Sequence, residues 1–211
     1  SHLLMGSISE WQFEQPVVSI FASGNSIHDL SKEELEFIRS RSFTVTLNYA
    51  PIRLDSHLNV WSDKLVTEWM ETHYQNRPKD RLFLVRDTAF AGYTSTLKPE
   101  VDYWFSLRAD QLKGNYTIVW LLQLMERFFS KHRFLVFGLA FYTQNTDQAK
   151  WYDQFTDHDR EGRNRQSIDR KLNRCISQLD HFVSNKTLFF NCNPKSRYPS
   201  FQMANWKEVL G

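Results

Sequence analysis

Most of the usual sequence signatures of function are missing from this chain. Only two cysteines occur in 211 residues, Cys175 and Cys192, too few for a disulfide framework or a four-cysteine zinc site. That scarcity fits a reducing, cytoplasmic compartment. No run approaches the roughly 18 apolar residues of a transmembrane helix. Neither sign of charge dominates: 26 Lys and Arg stand against 24 Asp and Glu, a net charge of +2, which argues against a dedicated nucleic-acid binder. The seven histidines make no His-x-x-x-His or His-Glu-x-x-His spacing, so no metal site is expected. A Gly-x-Ser-x-Gly elbow is absent, which disfavours an α/β-hydrolase. No Gly-Lys-Ser/Thr is present, which excludes a Walker A loop. There is no internal repeat, low-complexity tract or linker.

Apolar residues make up 41% and charged residues 24%, and aromatics reach 15%, with 17 Phe, 8 Tyr and 7 Trp. This is the composition of a globular domain, and the length suits one domain, taken as 8–211. Ser1–Ser7 reads as a cloning remnant, lacking the basic and apolar regions of a signal peptide.

Strand-like and helix-like segments alternate along the chain. Val17–Ala22, Phe43–Leu47, Leu58–Trp61, Arg81–Arg86, Val101–Leu107, Arg133–Gly138 and Thr187–Cys192 read as short buried strands, rich in β-branched and aromatic residues. Ser31-Lys-Glu-Glu34 is a capping box that opens a helix to about Arg39. Asp63 caps another to about Tyr74. Tyr116–Lys131 and Ile168–Val183 repeat apolar residues at helical spacing, and Phe201–Leu210 suits a short closing helix. The alternation predicts an α/β fold, with a largely parallel sheet covered by helices on both faces. Ligands of such sheets sit at the carboxyl ends of the strands, so the residues after each strand matter most.

Ser23-Gly-Asn-Ser26 follows the first strand. Its glycine permits close approach of backbone to a ligand, and its N–H groups and hydroxyls suit a phosphate, although the same residues also make an ordinary tight turn. Asn48 follows the second strand, Ser62 and Asp63 the third, and Asn193-Pro-Lys-Ser196 the last. The stretch 142–166 is long, polar and aromatic. Trp151, Tyr152 and Phe155 suggest a lid, and His158 between Asp157 and Asp159 could act as a general base or be a solvated loop histidine. The basic run 160–174 reads as a solvated helix face, or as a surface for a phosphate-rich substrate, a membrane or nucleic acid. Both cysteines read as core residues.

The order of these pieces resembles the bacterial sialyltransferases typified by Campylobacter lipooligosaccharide enzymes, and more loosely the bacterial Kdo transferases. Ser23, Gly24, Asn25 and Ser26 stand where that family has its glycine-rich turn. Asn48 matches its Asn after the second strand, and Asp63 is nearest to its polar residue after the third. Gly114-Asn-Tyr-Thr117 fits the polar turn that opens its apolar helix, bringing in Asn115 and Thr117. Phe137-Gly-Leu-Ala-Phe-Tyr142 parallels its strand end, with Ala140 in place of the family's acidic residue. His158 matches its lid histidine, and Cys192-Asn-Pro-Lys-Ser196 its last turn.

The resemblance implies a Rossmann-like CMP-sugar-binding domain that transfers sialic acid or Kdo, with inversion, to a surface glycan or lipooligosaccharide. It implies His158 as the base. Tyr142 or Tyr152, with backbone N–H groups, would stabilise the leaving phosphate, and Ser196 would join the nucleotide site. It implies no metal and no cofactor beyond the CMP-sugar donor. A cytoplasmic location would follow, peripheral to the inner membrane through the basic run 160–174, with no nucleic-acid partner. Two other readings stand beside it. One is a different nucleotide-dependent enzyme, using UDP- or GDP-sugars or acting as a pyrophosphokinase. The other is a non-catalytic binding module of a polysaccharide-assembly complex.

Overall fold

The computed structural model describes residues 15–22, 24, 27, 29–73, 81–91, 101–139 and 165–211, with only the backbone of 165–169. The stretch Ser1–Ser7, residues 142–164 of the proposed lid and the residues Ser23, Asn25, Ser26, Ala140, Tyr142, Tyr152 and His158 lie outside the described residues.

Eight strands form one sheet: β1 (Val17–Phe21), β2 (Phe43–Leu47), β3 (Leu58–Trp61), β4 (Leu82–Arg86), β5 (Tyr103–Phe105), β6 (Arg133–Phe137), β7 (Phe189–Asn191) and β8 (Gln202–Met203). Every pairing is parallel, in the order β5-β4-β3-β2-β1-β6-β7-β8. The helices are α1 (Lys32–Arg41), α2 (Lys64–His73), α3 (Thr117–Phe128), α4 (Arg165–Phe182) and α5 (Trp206–Leu210). This is a Rossmann-like α/β architecture.

Alternation along the strands sorts the core into two layers. Val18, Ile20, Val45, Leu58, Val60, Leu84, Phe134 and Val136 face α3 and α4. Val17, Phe21, Trp61, Phe83, Val85, Leu135 and Phe137 face α1, α2 and α5. Helix α3 is buried along its whole run Thr117–Met125, because it lies between the sheet and α4 and so is apolar nearly all round. The capping box of α1 forms as its sequence demands: Glu34 N–H donates to Ser31 Oγ at 3.1 Å, and Ser31 N–H to Glu34 Oε1 at 3.0 Å. Asp63 Oδ1 accepts from Leu65 N–H at 3.0 Å at the start of α2.

Two readings need correction. The closing segment 201–210 is not one helix: Gln202–Met203 pairs with β7 before α5 begins. Two residues are too short to show a strand period. Cys192 is also less enclosed than a core residue, whereas Cys175 is buried on the apolar face of α4.

Candidate functional site

From β1 the chain builds outward through β2 to β5. It then returns across β1 to lay down β6, β7 and β8 on the other side. The direction of growth therefore reverses between β1 and β6, and the crevice beyond the carboxyl ends of these two strands is the topological switch point, where open α/β sheets bind ligands.

The backbone at that crevice is unusually close. The two strands end in register at Phe21 and Phe137, whose rings stack at 4.7 Å. Ala22 N–H donates to Phe137 O at 2.9 Å. A Cβ on Gly24 would stand 1.9 Å from Gly138 O. Gly138 has φ +80°, and a Cβ there would stand 2.7 Å from Ala22 O. Only glycine fits at either position, because the backbones that follow β1 and β6 pack directly against each other here.

Asn48 continues the carboxyl end of β2, its N–H donating to Val60 O at 2.9 Å. It has φ +54°, a left-handed conformation that asparagine tolerates better than most residues. Its side chain is half-buried. A left-handed non-glycine residue held at a strand end is a feature seen at ligand sites.

Helix α3 runs back to β6, so its N-terminus points to the same edge of the sheet. Ser62, just past β3, marks the place: its Oγ lies 3.0 Å from Thr117 Oγ1 and accepts from Trp120 Nε1 at 3.2 Å. The residue before α3 is Tyr116, which supplies no side-chain cap. The first N–H groups of this twelve-residue helix thus present a positive dipole end to the carboxyl edge. Burial raises the Tyr116 phenol pKa above its usual value, with Cys175 adding to the effect, so the phenol stays protonated at neutral pH.

The other sequence candidates fare differently. Asn115 is exposed, held by its backbone N–H to Gln178 Oε1 of α4 at 2.9 Å. Asp63 acts as the cap of α2. Ser196 donates its hydroxyl to Leu139 O and accepts from Tyr198 N–H at 3.1 Å, so it pins the segment after β6. The described residues thus gather Gly24, Asn48 and Thr117 at one edge, together with Ser62 and Gly138, and give Asp63 and Ser196 structural roles.

On the α1 and α5 side of the same edge lies a cavity of about 630 Å³. Phe137 and Gly138 form its floor, Asn191, Cys192 and Asn193 one wall, and Glu34, Trp206 and Lys207 the opposite rim. Sequence reasoning did not assemble this cavity, because its lining comes from four separate segments of the chain. The one available signal was the Asn-Cys-Asn triplet at the end of a buried strand. Burial pushes the Cys192 thiol pKa up to about 12, so it is neutral at physiological pH and a poor nucleophile.

Among the described residues no cluster of His, Cys, Asp and Glu could hold a metal ion, and no helix is long and apolar enough to cross a membrane. No family model, no curated protein and no solved structure matches this chain.

Proposed function

We propose that this protein binds a nucleoside phosphate at the carboxyl ends of β1, β2, β3 and β6. In this reading it acts as a glycosyltransferase that moves an acidic sugar, sialic acid or Kdo, from a CMP donor to a surface glycan or lipooligosaccharide. The observation behind this is the switch-point crevice, where Gly24 and Gly138 bring the ends of β1 and β6 into close backbone contact and the N-terminus of α3, which has no side-chain cap, points to the same edge. Oriented N–H groups of this kind stabilise a phosphate, and in a transfer reaction they would stabilise the leaving nucleotide monophosphate. The amide of Asn48 offers both a donor and an acceptor to a base or ribose. His158 is the proposed base, taking the proton of the attacking acceptor hydroxyl.

The test is a thermal-shift panel on the whole chain with CMP, CDP, CTP, UDP, GDP and ATP, each with and without Mg²⁺. A ligand that binds only the folded state raises Tm by mass action. The expected result is a selective rise with CMP or CDP, followed by transfer from CMP-sialic acid or CMP-Kdo that His158→Ala abolishes. The Mg²⁺ arm has its own motive, since Asp157-His158-Asp159 is an Asp-x-Asp triplet able to hold a divalent ion through its carboxylates. A metal-dependent response to ATP or a nucleoside diphosphate would replace the CMP-sugar reading. Silence across the panel would favour a binding module.

A further inference from the structure

We propose that the cavity between β6, β7 and α5 is a binding site for a neutral saccharide. Its volume of about 630 Å³ falls within the usual range for a small-molecule site, roughly 300–1,000 Å³. The nucleotide crevice is framed by α3 on the other face of the sheet, so the two sites share only the backbone around Gly138.

One polar group in the wall has no purpose within the protein. Asn191 is bonded at both ends of its amide: its Nδ2 donates to Leu139 O at 3.4 Å, and its Oδ1 accepts from Asn193 N–H at 3.0 Å. Asn193 Oδ1 accepts from Lys195 N–H at 3.1 Å. Asn193 Nδ2, however, is buried without a hydrogen-bond partner in a residue only 6% exposed, and that residue lines the cavity. A buried donor left unpaired costs about 1–3 kcal/mol. An acceptor atom brought by a ligand would remove that penalty.

The rim selects the ligand's chemistry. Glu34 faces Lys207 at 3.4 Å, and Asp29 adds a second carboxylate. A carboxylate or phosphate would meet two negative groups against one lysine that already has a partner. A polyol suits the same rim better, because each hydroxyl can donate to a carboxylate and accept from an ammonium or amide. The partly exposed ring of Trp206 supplies flat apolar area for the C–H face of a pyranose. Alternating hydroxyl and C–H surfaces are what neutral sugars present. Saccharide binding here does not depend on the nucleotide reading; if both hold, the cavity is the acceptor subsite.

The test is a two-dimensional ¹H–¹⁵N NMR titration of the whole chain. The probes are the methyl glycosides of glucose, galactose, mannose, N-acetylglucosamine and N-acetylgalactosamine, with glucuronate and sialic acid as charged comparators and CMP as a separate arm. The Trp206 indole signal is assigned through Trp206→Phe. At least one neutral glycoside should shift it saturably and more strongly than either acid. Asn193→Ser keeps a hydroxyl acceptor for Lys195 N–H while withdrawing the donor from the cavity. It should weaken that glycoside about tenfold without lowering Tm, because the unpaired donor is gone, and leave the CMP response unchanged. No saturable shift with any neutral glycoside would overturn the proposal, as would equal affinity in Asn193→Ser or preference for an acid. If CMP itself moves the Trp206 signal and Asn193→Ser abolishes that response, the cavity belongs to the nucleotide and the saccharide assignment fails. A silent CMP arm with intact glycoside binding would instead remove the nucleotide reading alone.

Discussion

The two faces of the sheet are built from alternate residues of the same strands, yet they differ in kind. The face toward α3 and α4 is hydrocarbon: Val18, Ile20, Val45, Leu47, Leu58 and Val60 meet a helix buried along nine consecutive residues. The face toward α1 and α2 carries a file of buried polar groups between its apolar ones. Ser19 Oγ lies 2.7 Å from Ser42 Oγ, which donates to Ile38 O of α1. Thr44 Oγ1 lies 2.8 Å from His57 Nδ1. Thr46 Oγ1 lies 2.7 Å from Ser56 Oγ and donates to Asn59 Oδ1 at 2.9 Å. One face holds together by excluding water, the other by satisfying its polar atoms in pairs. Damage to the first leaves a void, and damage to the second leaves an orphan.

Substitutions on either side should break this contrast by different amounts. The largest effect is expected from Trp120→Ala. The side chain is fully buried, 3.9 Å from the Phe105 ring centroid, and bonded to Ser62. Its loss should cost about 3–5 kcal/mol in urea unfolding and, by releasing Ser62, weaken any nucleotide response. Thr46→Val, on the polar face, keeps the shape but removes the hydroxyl shared by Ser56 and Asn59, leaving Ser56 Oγ its bonds to Leu58 O and Asn59 Oδ1. The expected cost is about 1 kcal/mol despite the gain in hydrophobicity. Because the sheet separates the two sites, the double variant should be additive within about 0.5 kcal/mol.

Ser31→Ala tests the helix on the polar side alone and should cost about 1 kcal/mol. The same box predicts a pH dependence. The Ser31 backbone N–H, followed by the Lys207 ammonium, holds the Glu34 carboxyl below its ordinary value of 4.5. The folded state therefore binds this proton less readily than the unfolded state. The resulting stabilisation is complete above about pH 4.5 and is lost as pH falls through the lower folded value. Glu34→Gln should flatten that acid limb of a Tm–pH curve. The smallest stability effect is expected from Asn48→Gly, at the edge where the two faces end. Glycine relieves the left-handed conformation, so Tm should stay within a degree or two, while the CMP response falls. A Tm gain with ligand binding intact would make Asn48 a turn residue and nothing more.

Much of the fold was legible because strand and helix periods are local. The capping box at Ser31–Glu34, the boundaries of β2 and β3 and the apolar helix α3 all follow from residues within a few positions of one another. The strand β8 was not legible, since its pairing with β7 depends on where residues far from any pattern are carried. Some positions around the candidate crevice were legible as well. Gly24, Asn48 and Thr117 could be named because each follows a strand or opens a helix. Ser196 and Asp63 were named for the same reason and turn out to hold the backbone, since an exposed-looking polar residue and a cap are identical in sequence.

The amino-acid order by itself determined the alternation of strand and helix and the apolar and polar rows of each strand. Tertiary structure decided the order of the strands, and with it the reversal between β1 and β6 that sets Gly24 against Gly138. It also decided that Glu34, Asn193 and Trp206 meet around one cavity. Hydrophobic period is a property of neighbours in the chain. A crevice is a property of surfaces that pack across more than a hundred residues, and no local pattern encodes which two will meet.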